Sequence, residues 1–474
     1  MIEVAGLNTV TRTVILLKVC MRGTARVFAM TAALALGLTA CGAGGAAEGG
    51  KPVEQSVSKP TEKPTEKPTE KPAGPVTLKY WTFSPPEAGL KAALAAFEEA
   101  NPGIKVDLRT FGEADYRKRL PKALDGDGAP DVVGIHIPTM TGAVKNRLRP
   151  VADWKDEVSG DLLGELDPVA VKQTEQVAKD GTLYSVPMGS TAGAVMYYDA
   201  ALLSELGESF PKTVADLESI VMRVRKEIPD LQPIVFSGEP RRQEELLFTI
   251  AGQTHPTLSD DLLAGGKSWK SAEMVSALTA YGAMFDRGML ARSALALRGD
   301  GPAELFRSGK ALFLVDGSGQ SSMLSTSYRR TGRFSVKKIG AGPFPTVLPN
   351  ARPAVRSTAE VGLAVPRNSG HVAEAATLIE FLTVGDGVSS WAGDLTMTPA
   401  AANFKVESSV FATPEGKDGY AALQELIRGG GSLNVPDEVF LERAEGDVIL
   451  DVAHGRITPE KAAARLQEEW SRSR

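Results

Sequence analysis

The sequence predicts a mixed α/β fold with a largely parallel sheet, and three neighbouring patterns carry this prediction. Val76–Phe83 alternates two sets of side chains with a period of two, which is typical of a strand. Apolar residues then recur at helical spacing from Leu90 to Phe97, and Ile104–Thr110 is a second strand. A strand, a helix and a strand joined by short connections form a βαβ unit, in which the two strands run parallel.

The first helix is predicted to begin at Ser84. Its serine, the first-turn proline Pro85 and the acidic Glu87 three places on are residues that satisfy free backbone donors at a helix start. The segment Asn101-Pro102-Gly103 ends the helix.

The same alternation of strands and helices continues along the chain. Further strands are predicted at Val132–Ile135, Ala194–Tyr198, Ile234–Phe236, Ala311–Val315 and Val361–Val365, with an extended stretch at Leu183–Val186. Further helices are predicted to begin at Thr213, with Asp216 completing its cap, at Ser369 and at Thr458. This alternation supports an α/β fold for the whole of residues 76–474.

Length, charge and cysteine content exclude several classes of protein. The 474 residues suffice for two or three domains, and the net charge of −5 provides no broad basic field for nucleic acid. The two cysteines, Cys20 and Cys41, both lie near the N-terminus. Residues 76–474 therefore contain no thiol for a disulfide, a nucleophile or a thiolate metal site.

Residues 1–40 have the pattern of a secretory signal peptide. Basic residues precede the small and apolar run Val27–Leu38, which is too short to span a bilayer. The run ends in Leu38-Thr39-Ala40-Cys41-Gly42, which resembles the lipobox of bacterial lipoproteins. That resemblance implies that Cys41 is lipidated and becomes the mature N-terminus. A plain secretory cleavage site is the alternative, and Met21 offers a second possible start for the signal peptide.

Residues 41–75 are predicted to be a disordered lipoprotein spacer. A Gly- and Ala-rich stretch is followed by repeats of Lys59-Pro60-Thr61-Glu62 that run to Pro72. Proline at every fourth position blocks helix and sheet pairing, and the repeats lack apolar residues to bury. The spacer would hold the folded body away from a membrane surface.

Five segments of the body, taken together, carry a family resemblance. They are Leu78–Thr82 with Phe97–Val106, Ala129–Val133, Asp180–Pro187 with Met196–Asp199, Ser308–Gly317, and Gly362–Pro366. In kind and order these segments resemble family 1 of the extracellular solute-binding proteins, which deliver sugars to ABC transporters. The resemblance covers most of residues 76–474, and the order of the segments is what makes it specific.

The resemblance implies a two-lobed periplasmic-binding-protein-like fold of type II, with a ligand cleft between two discontinuous lobes. Lobe 1 would comprise residues 76–190 and 336–370, and lobe 2 residues 191–335 and 371–474. The implied protein is a monomeric, lipid-anchored receptor on the extracytoplasmic face of the cell membrane. It would bind a small solute, in the first place a sugar, and dock on an ABC transporter permease, with no cofactor and no metal.

Candidate ligand-binding residues lie mainly after predicted strands, because ligands of open α/β sheets bind beyond the carboxyl ends of the strands, and at positions where the resemblance implies a ligand contact, as for His136, Thr191 and Glu239. They are Phe83, Ser84, Glu87, His136, Thr191, Glu239, Asp316, Glu360 and Trp391. Some have an alternative role: Ser84 and Glu87 in helix capping, His136 in structure, and Trp391 in the core. Carboxylates and aromatic faces suit a sugar, which offers hydroxyl groups and C–H patches.

Two other functions and a smaller ligand stay open. Gly319 stands where many sugar-binding members carry an aromatic platform, which leaves room for a smaller or more polar solute. A secreted hydrolase is disfavoured, because the sequence contains no HExxH or GxSxG motif and its four histidines are scattered. An envelope adhesion or structural protein with the same fold would need a surface partner instead of a solute.

Overall fold

The computed structural model describes residues 74–158, 160–430 and 445–473, and every element below lies within these ranges. The predicted signal peptide, Cys41 and nearly all of the predicted spacer lie outside the described residues. Among the described helices, none has the length and apolar character that crossing a lipid bilayer requires.

The described strands and helices alternate along the chain. The strands are β1 (Val76–Thr82), β2 (Ile104–Thr110), β3 (Val132–His136), β4 (Val186–Gly193), β5 (Val195–Asp199), β6 (Gln232–Phe236), β7 (Ala311–Asp316), β8 (Ile339–Pro343), β9 (Arg356–Ala364) and β10 (Thr398–Pro399). The helices are α1 (Glu87–Ala100), α2 (Glu113–Ala123), α3 (Ile137–Val144), α4 (Pro168–Val177), α5 (Ala200–Glu205), α6 (Val214–Glu227), α7 (Pro240–Gly252), α8 (Leu258–Leu263), α9 (Ala272–Asp286), α10 (Gly301–Arg307), α11 (Thr326–Thr331), α12 (Val372–Thr383), α13 (Gly387–Ala392), α14 (Pro414–Gly429), α15 (Gly446–Ala453) and α16 (Pro459–Ser473).

The strands form two sheets, and each sheet is the centre of one lobe. Lobe 1 contains the sheet β10-β4-β9-β3-β1-β2, in which β1 runs parallel to β2 and β3 while β9 runs antiparallel to β3 and β4. Lobe 2 contains the sheet β6-β7-β5-β8, in which β6 and β7 are parallel and β5 is antiparallel to β7 and β8. The sequence prediction of an α/β fold is confirmed.

The helices bury the apolar stripes that the sequence predicts. In α1 the residues Leu90, Ala93, Leu94 and Phe97 are buried in the core of lobe 1. In α6, Thr213 and Asp216 form the predicted reciprocal cap, and Leu217, Val221 and Val224 are buried in lobe 2.

The predicted cap at Ser84 is wrong. Helix α1 begins at Glu87 without a side-chain cap, because the Thr82 hydroxyl donates to the Ser84 carbonyl at 2.7 Å and fixes the connection. The Glu87 carboxylate instead accepts from the Thr110 hydroxyl at 3.0 Å and pairs with Lys91 at 2.6 Å.

The sheets divide the chain at other places than the sequence-based lobe boundaries. β8 pairs with β5 and therefore lies in lobe 2. Its glycines leave space for two rings: a Cβ on Gly340 would lie within 2.6 Å of the ring of Tyr198, and a Cβ on Gly342 within 2.6 Å of the ring of Phe210. The crossover to lobe 1 therefore falls between β8 and β9. Helices α12 and α13 also belong to lobe 1, where Phe381 packs on Phe97 with ring centroids 5.3 Å apart. The chain returns to lobe 2 after β10, since α14 packs on β8.

Candidate functional site

His136, Thr191 and Glu360 meet at the edge of lobe 1. His136 ends β3, Thr191 lies in β4, and Glu360 lies in β9, the strand between them. Glu360 Oε1 lies 3.2 Å from His136 Nε2, and Glu360 Oε2 accepts from the Thr191 hydroxyl at 2.9 Å. His136 Nδ1 lies 2.6 Å from the Thr139 hydroxyl, so the imidazole is oriented at both nitrogens.

The carboxylate of Glu360 is held in its ionised form. Burial by itself would raise its pKa, but the hydrogen bond and charge of His136 outweigh that effect, with further help from Arg241 and Thr191. The net result lowers the pKa of Glu360 to about 2. An ionised carboxylate can only accept hydrogen bonds, so His136 Nε2 is the donor of the pair. The side chain of Glu360 is 20% exposed and can accept further bonds from a ligand.

An aromatic cluster lies beside this carboxylate. The ring of Phe83 meets that of His136 edge-on at 6.1 Å and that of Tyr116 at 5.8 Å between centroids. Tyr116 in turn stacks on Phe111 at 5.4 Å, and Phe111 contacts Trp81 at 5.1 Å. The sequence analysis missed Phe111 and Tyr116, although Phe111 directly follows β2 and could have been found by the same rule as Phe83. Tyr116 is fully buried and supports the cluster from below, whereas the half-buried rings of Trp81, Phe83 and Phe111 provide flat apolar surface.

Asp316 and Arg242 form a charge pair at the edge of lobe 2. Asp316 ends β7, lies 3.3 Å from Arg242 Nε and accepts the backbone N–H of Gly317 at 2.7 Å. Burial raises the pKa of Asp316, while Arg242 acts in the opposite direction. Arg242 also binds Glu245 at 2.8 Å, and the charge of Glu245 is the main cause that raises the pKa of Arg242. Arg242 lies three residues after the predicted candidate Glu239 but was not itself predicted.

Glu239 is held at the same edge by backbone contacts. It follows β6, its side chain accepts the N–H of Gly299 at 3.1 Å, and its own N–H donates to the Ser237 hydroxyl at 3.1 Å. Glu239 and Asp316 therefore lie after two neighbouring parallel strands, as the sequence rule predicts.

The loop after β7 is bound directly to the crossover strand. The backbone N–H of Ala192, next to Thr191, donates to the Ser318 hydroxyl at 2.8 Å, and the Tyr197 hydroxyl donates to the Gly317 carbonyl at 3.1 Å. A Cβ on Gly193 would lie 2.6 Å from Glu245 Cβ, so helix α7 packs tightly on the same crossover. The candidate groups of the two lobes are thus brought together at the crossover from β4 to β5.

Three of the predicted ligand-binding residues, Trp391, Glu87 and Ser84, lie apart from the groups at the crossover or are bound within lobe 1. Trp391 is 1% exposed in the core of lobe 1, and its indole N–H donates to the Leu382 carbonyl at 3.0 Å. Its prediction as a ligand contact is corrected to a core role, because no part of the ring is free to stack. Glu87 faces solvent on α1 with Lys91 and Thr110, and Ser84 is half-buried with its backbone fixed by Thr82.

The assembled site offers acceptors, donors and apolar faces. Glu360, Glu239 and Asp316 supply carboxylates, Arg242 supplies guanidinium, and Phe83 begins the aromatic surface. Within the described part of the chain, no group of three or more His, Cys, Asp or Glu residues is arranged to hold a metal ion. The arrangement suits the capture of a solute that carries many hydroxyl groups.

Comparison with known proteins gives one family and many similar folds. The model of the family described as bacterial extracellular solute-binding protein matches residues 92–416. A comparison with curated protein sequences finds no match.

Several solved structures share the fold. A cyclo/maltodextrin-binding protein complexed with maltotetraose is 19% identical with a TM-score of 0.66, covering 85% of this chain and 98% of its own. A cyclic alpha-maltosyl-1,6-maltose binding protein from Arthrobacter globiformis is 17% identical with a TM-score of 0.65, covering 84% and 99%. An ABC substrate-binding protein from Listeria monocytogenes in complex with cycloalternan is 20% identical with a TM-score of 0.63, covering 84% and 99%. At these identities the likeness shows the two-lobed fold.

Proposed function

We propose that this chain, which belongs to the family of bacterial extracellular solute-binding proteins, is a carbohydrate receptor. It captures a sugar between its lobes on the extracytoplasmic side of the membrane and, as a monomer, delivers it to an ABC transporter permease. The observation that carries this proposal is the meeting of His136, Thr191 and Glu360 beside the ring of Phe83.

The chemistry of a sugar fits this arrangement. The ionised Glu360 accepts hydrogen bonds from hydroxyl groups, while its fixed contacts to His136 and Thr191 keep it in one orientation. The aromatic cluster with Phe83 packs against C–H patches of a sugar ring. Three proteins of the same fold are a maltotetraose complex, a cyclic alpha-maltosyl-1,6-maltose binding protein and a cycloalternan complex, which adds support for a saccharide. Buried polar groups left unpaired by a wrong ligand would cost about 1–3 kcal/mol each and give selectivity.

Closure of the two lobes around the solute would complete the site. Lobe 1 contributes Glu360 and its partners, and lobe 2 contributes Glu239 and the pair of Asp316 with Arg242. A ligand that touches both edges stabilises the closed arrangement by its extra contacts there.

A thermal-unfolding screen of the purified protein against a saccharide panel tests the carbohydrate proposal. A sugar at 100 times its Kd should add about 2.7 kcal/mol to the free energy of unfolding, which raises the midpoint by several degrees. The variant Glu360→Ala should lose this shift, whereas the exposed control Glu99→Gln should keep it. A shift with a small polar osmolyte and with no sugar would refute the carbohydrate assignment.

The lipid anchor is a separate part of the proposal, and it rests on the sequence Leu38-Thr39-Ala40-Cys41-Gly42. A diacylglycerol on Cys41 would hold the protein at the membrane, with the Lys-Pro-Thr-Glu repeats as the spacer. The variant Cys41→Ala should be released into the medium, and the matched control Cys20→Ala should stay in the membrane fraction. Continued membrane attachment of Cys41→Ala would contradict lipidation at this residue.

A further inference from the structure

Helix α7 of lobe 2 lies along the segment that enters β9. Near the end of the helix, a Cβ on Gly252 would lie 4.0 Å from the Cβ of Ala354. One turn earlier, the guanidinium of Arg356 lies 5.1 Å from the ring centroid of Phe248, and Arg356 also pairs with Glu244. These helix residues recur every four positions and therefore share one face of α7.

Arg241 lies three residues before Glu244 on the same face, in the first turn of α7. β9 continues from Arg356 to Glu360, and four residues of a strand cover about 13 Å. One helical turn back from Glu244 covers about 5 Å in the same direction, and the long arginine stem extends the reach further. Arg241 therefore lies on the face of α7 that packs along β9, on the side of Glu360, and its charge helps to lower the pKa of that carboxylate.

Both Arg241 and Glu360 have capacity to bind a ligand. The side chain of Arg241 is 60% exposed, and its contact to Glu245 is long at 3.4 Å. Glu245 is bound more closely by Arg242, at 2.8 Å. A guanidinium has five N–H donors, and a carboxylate has about four acceptor positions, of which His136 and Thr191 occupy two on Glu360.

The charges around this gap are already matched. The guanidinium groups of Arg241 and Arg242 face the carboxylates of Glu245, Asp316 and Glu360, and Glu360 has His136 beside it, so no guanidinium is in excess. A carboxylate on the solute would therefore be placed near Glu360 and Glu245, where like charges repel. A neutral solute meets no such penalty.

We propose that Arg241 and Glu360 together grip a neutral, hydroxyl-bearing solute across the gap between the lobes. The guanidinium donates to oxygen atoms of the solute, and the carboxylate accepts from its hydroxyl groups. The inference rests on the proposed function and deepens it, since it selects uncharged saccharides over uronic acids and assigns the lobe 2 contact to Arg241.

Isothermal titration of the purified protein tests the inference, with maltotetraose, cellotetraose, xylotetraose and tetragalacturonic acid as probes. We expect wild-type protein to bind one or more of the neutral probes more tightly than tetragalacturonic acid. Arg241→Gln should weaken the tightest neutral complex at least tenfold, and Arg241→Lys should weaken it less. The matched control is Arg472→Gln, which removes another exposed arginine paired with a glutamate four residues away and should change affinity less than twofold.

Thermal unfolding without solute separates binding from folding, because Arg241→Gln should leave the midpoint within a degree of wild type. Equal affinities of Arg241→Gln and wild type for the neutral probe would overturn the inference while leaving the carbohydrate receptor intact. Preferred binding of tetragalacturonic acid would overturn the neutral class. Binding of none of the four saccharides by wild type would count against the proposed function itself and against this inference with it.

Discussion

Replacing Glu360 by glutamine should remove a stabilising charge that depends on pH. The partners of Glu360 lower its pKa from 4.5 to about 2, even though burial acts in the opposite direction. A difference of about 2.5 pKa units corresponds to about 3 kcal/mol of folding free energy at neutral pH. Glutamine also replaces one carboxylate oxygen by an amide N–H₂, so either His136 or Thr191 loses its acceptor, and the variant should be at least that much less stable at pH 7.

The sign of the pH dependence follows from a folded-state pKa below the unfolded one. The contribution of Glu360 is complete above about pH 4.5 and is lost as the pH falls toward 2. Near pH 3.3, midway between the two values, about half of it remains. The stability difference between wild type and Glu360→Gln should therefore shrink by about 1.5 kcal/mol between pH 7 and pH 3.3.

Urea unfolding at both pH values measures this difference. The fluorescence of Trp154 and Trp391 reports on lobe 1, because both side chains are buried in its core. The exposed control Glu99→Gln should match wild type at both pH values. A difference that is the same at pH 7 and pH 3.3, or that is absent at pH 7, would refute the assignment of Glu360 as an ionised, hydrogen-bonded carboxylate.

Two further substitutions test the packing around the site. Gly193→Ala should lower the free energy of unfolding in urea by about 1–3 kcal/mol, because its new methyl group meets Glu245 at 2.6 Å. The control Gly128→Ala places its methyl group in open space and should lower it by less than about 0.5 kcal/mol, the usual range for surface changes. Equal effects of the two substitutions would contradict the tight packing at the crossover. Trp391→Phe should lower stability by about 1–3 kcal/mol, because the Leu382 carbonyl loses its donor, while sugar affinity stays within twofold. A large loss of affinity with unchanged stability would restore Trp391 as a ligand contact.

Local patterns in the sequence sufficed for the elements and for several residues of the candidate site. Alternation located β6 and β7, and the rule that ligands bind beyond strand ends selected His136, Glu239 and Asp316. The partnership of His136 with Glu360 could not be predicted, since 224 residues separate them and only the insertion of β9 beside β3 joins them. Periodicity describes neighbours along the chain, whereas this contact depends on the order of strands in the sheet.

The errors have similar causes. Ser84 has the residue type of a helix cap, but the Thr82 hydroxyl competes for its backbone and α1 starts later. The predicted return to lobe 1 at residue 336 comes too early, because the missing side chain of Gly340 admits the ring of Tyr198 and lets β8 pair with β5 in lobe 2. In both places a tertiary contact decided the local structure.

The position of β9 also determines when each lobe can be completed during synthesis. β9 begins at Arg356 but lies between β3 and β4, which end at His136 and Gly193, so the N-terminal strands have no continuous sheet without it. Lobe 2 in turn waits for the last helices, α14 to α16. Neither half can reach its native core until nearly the whole polypeptide has been made.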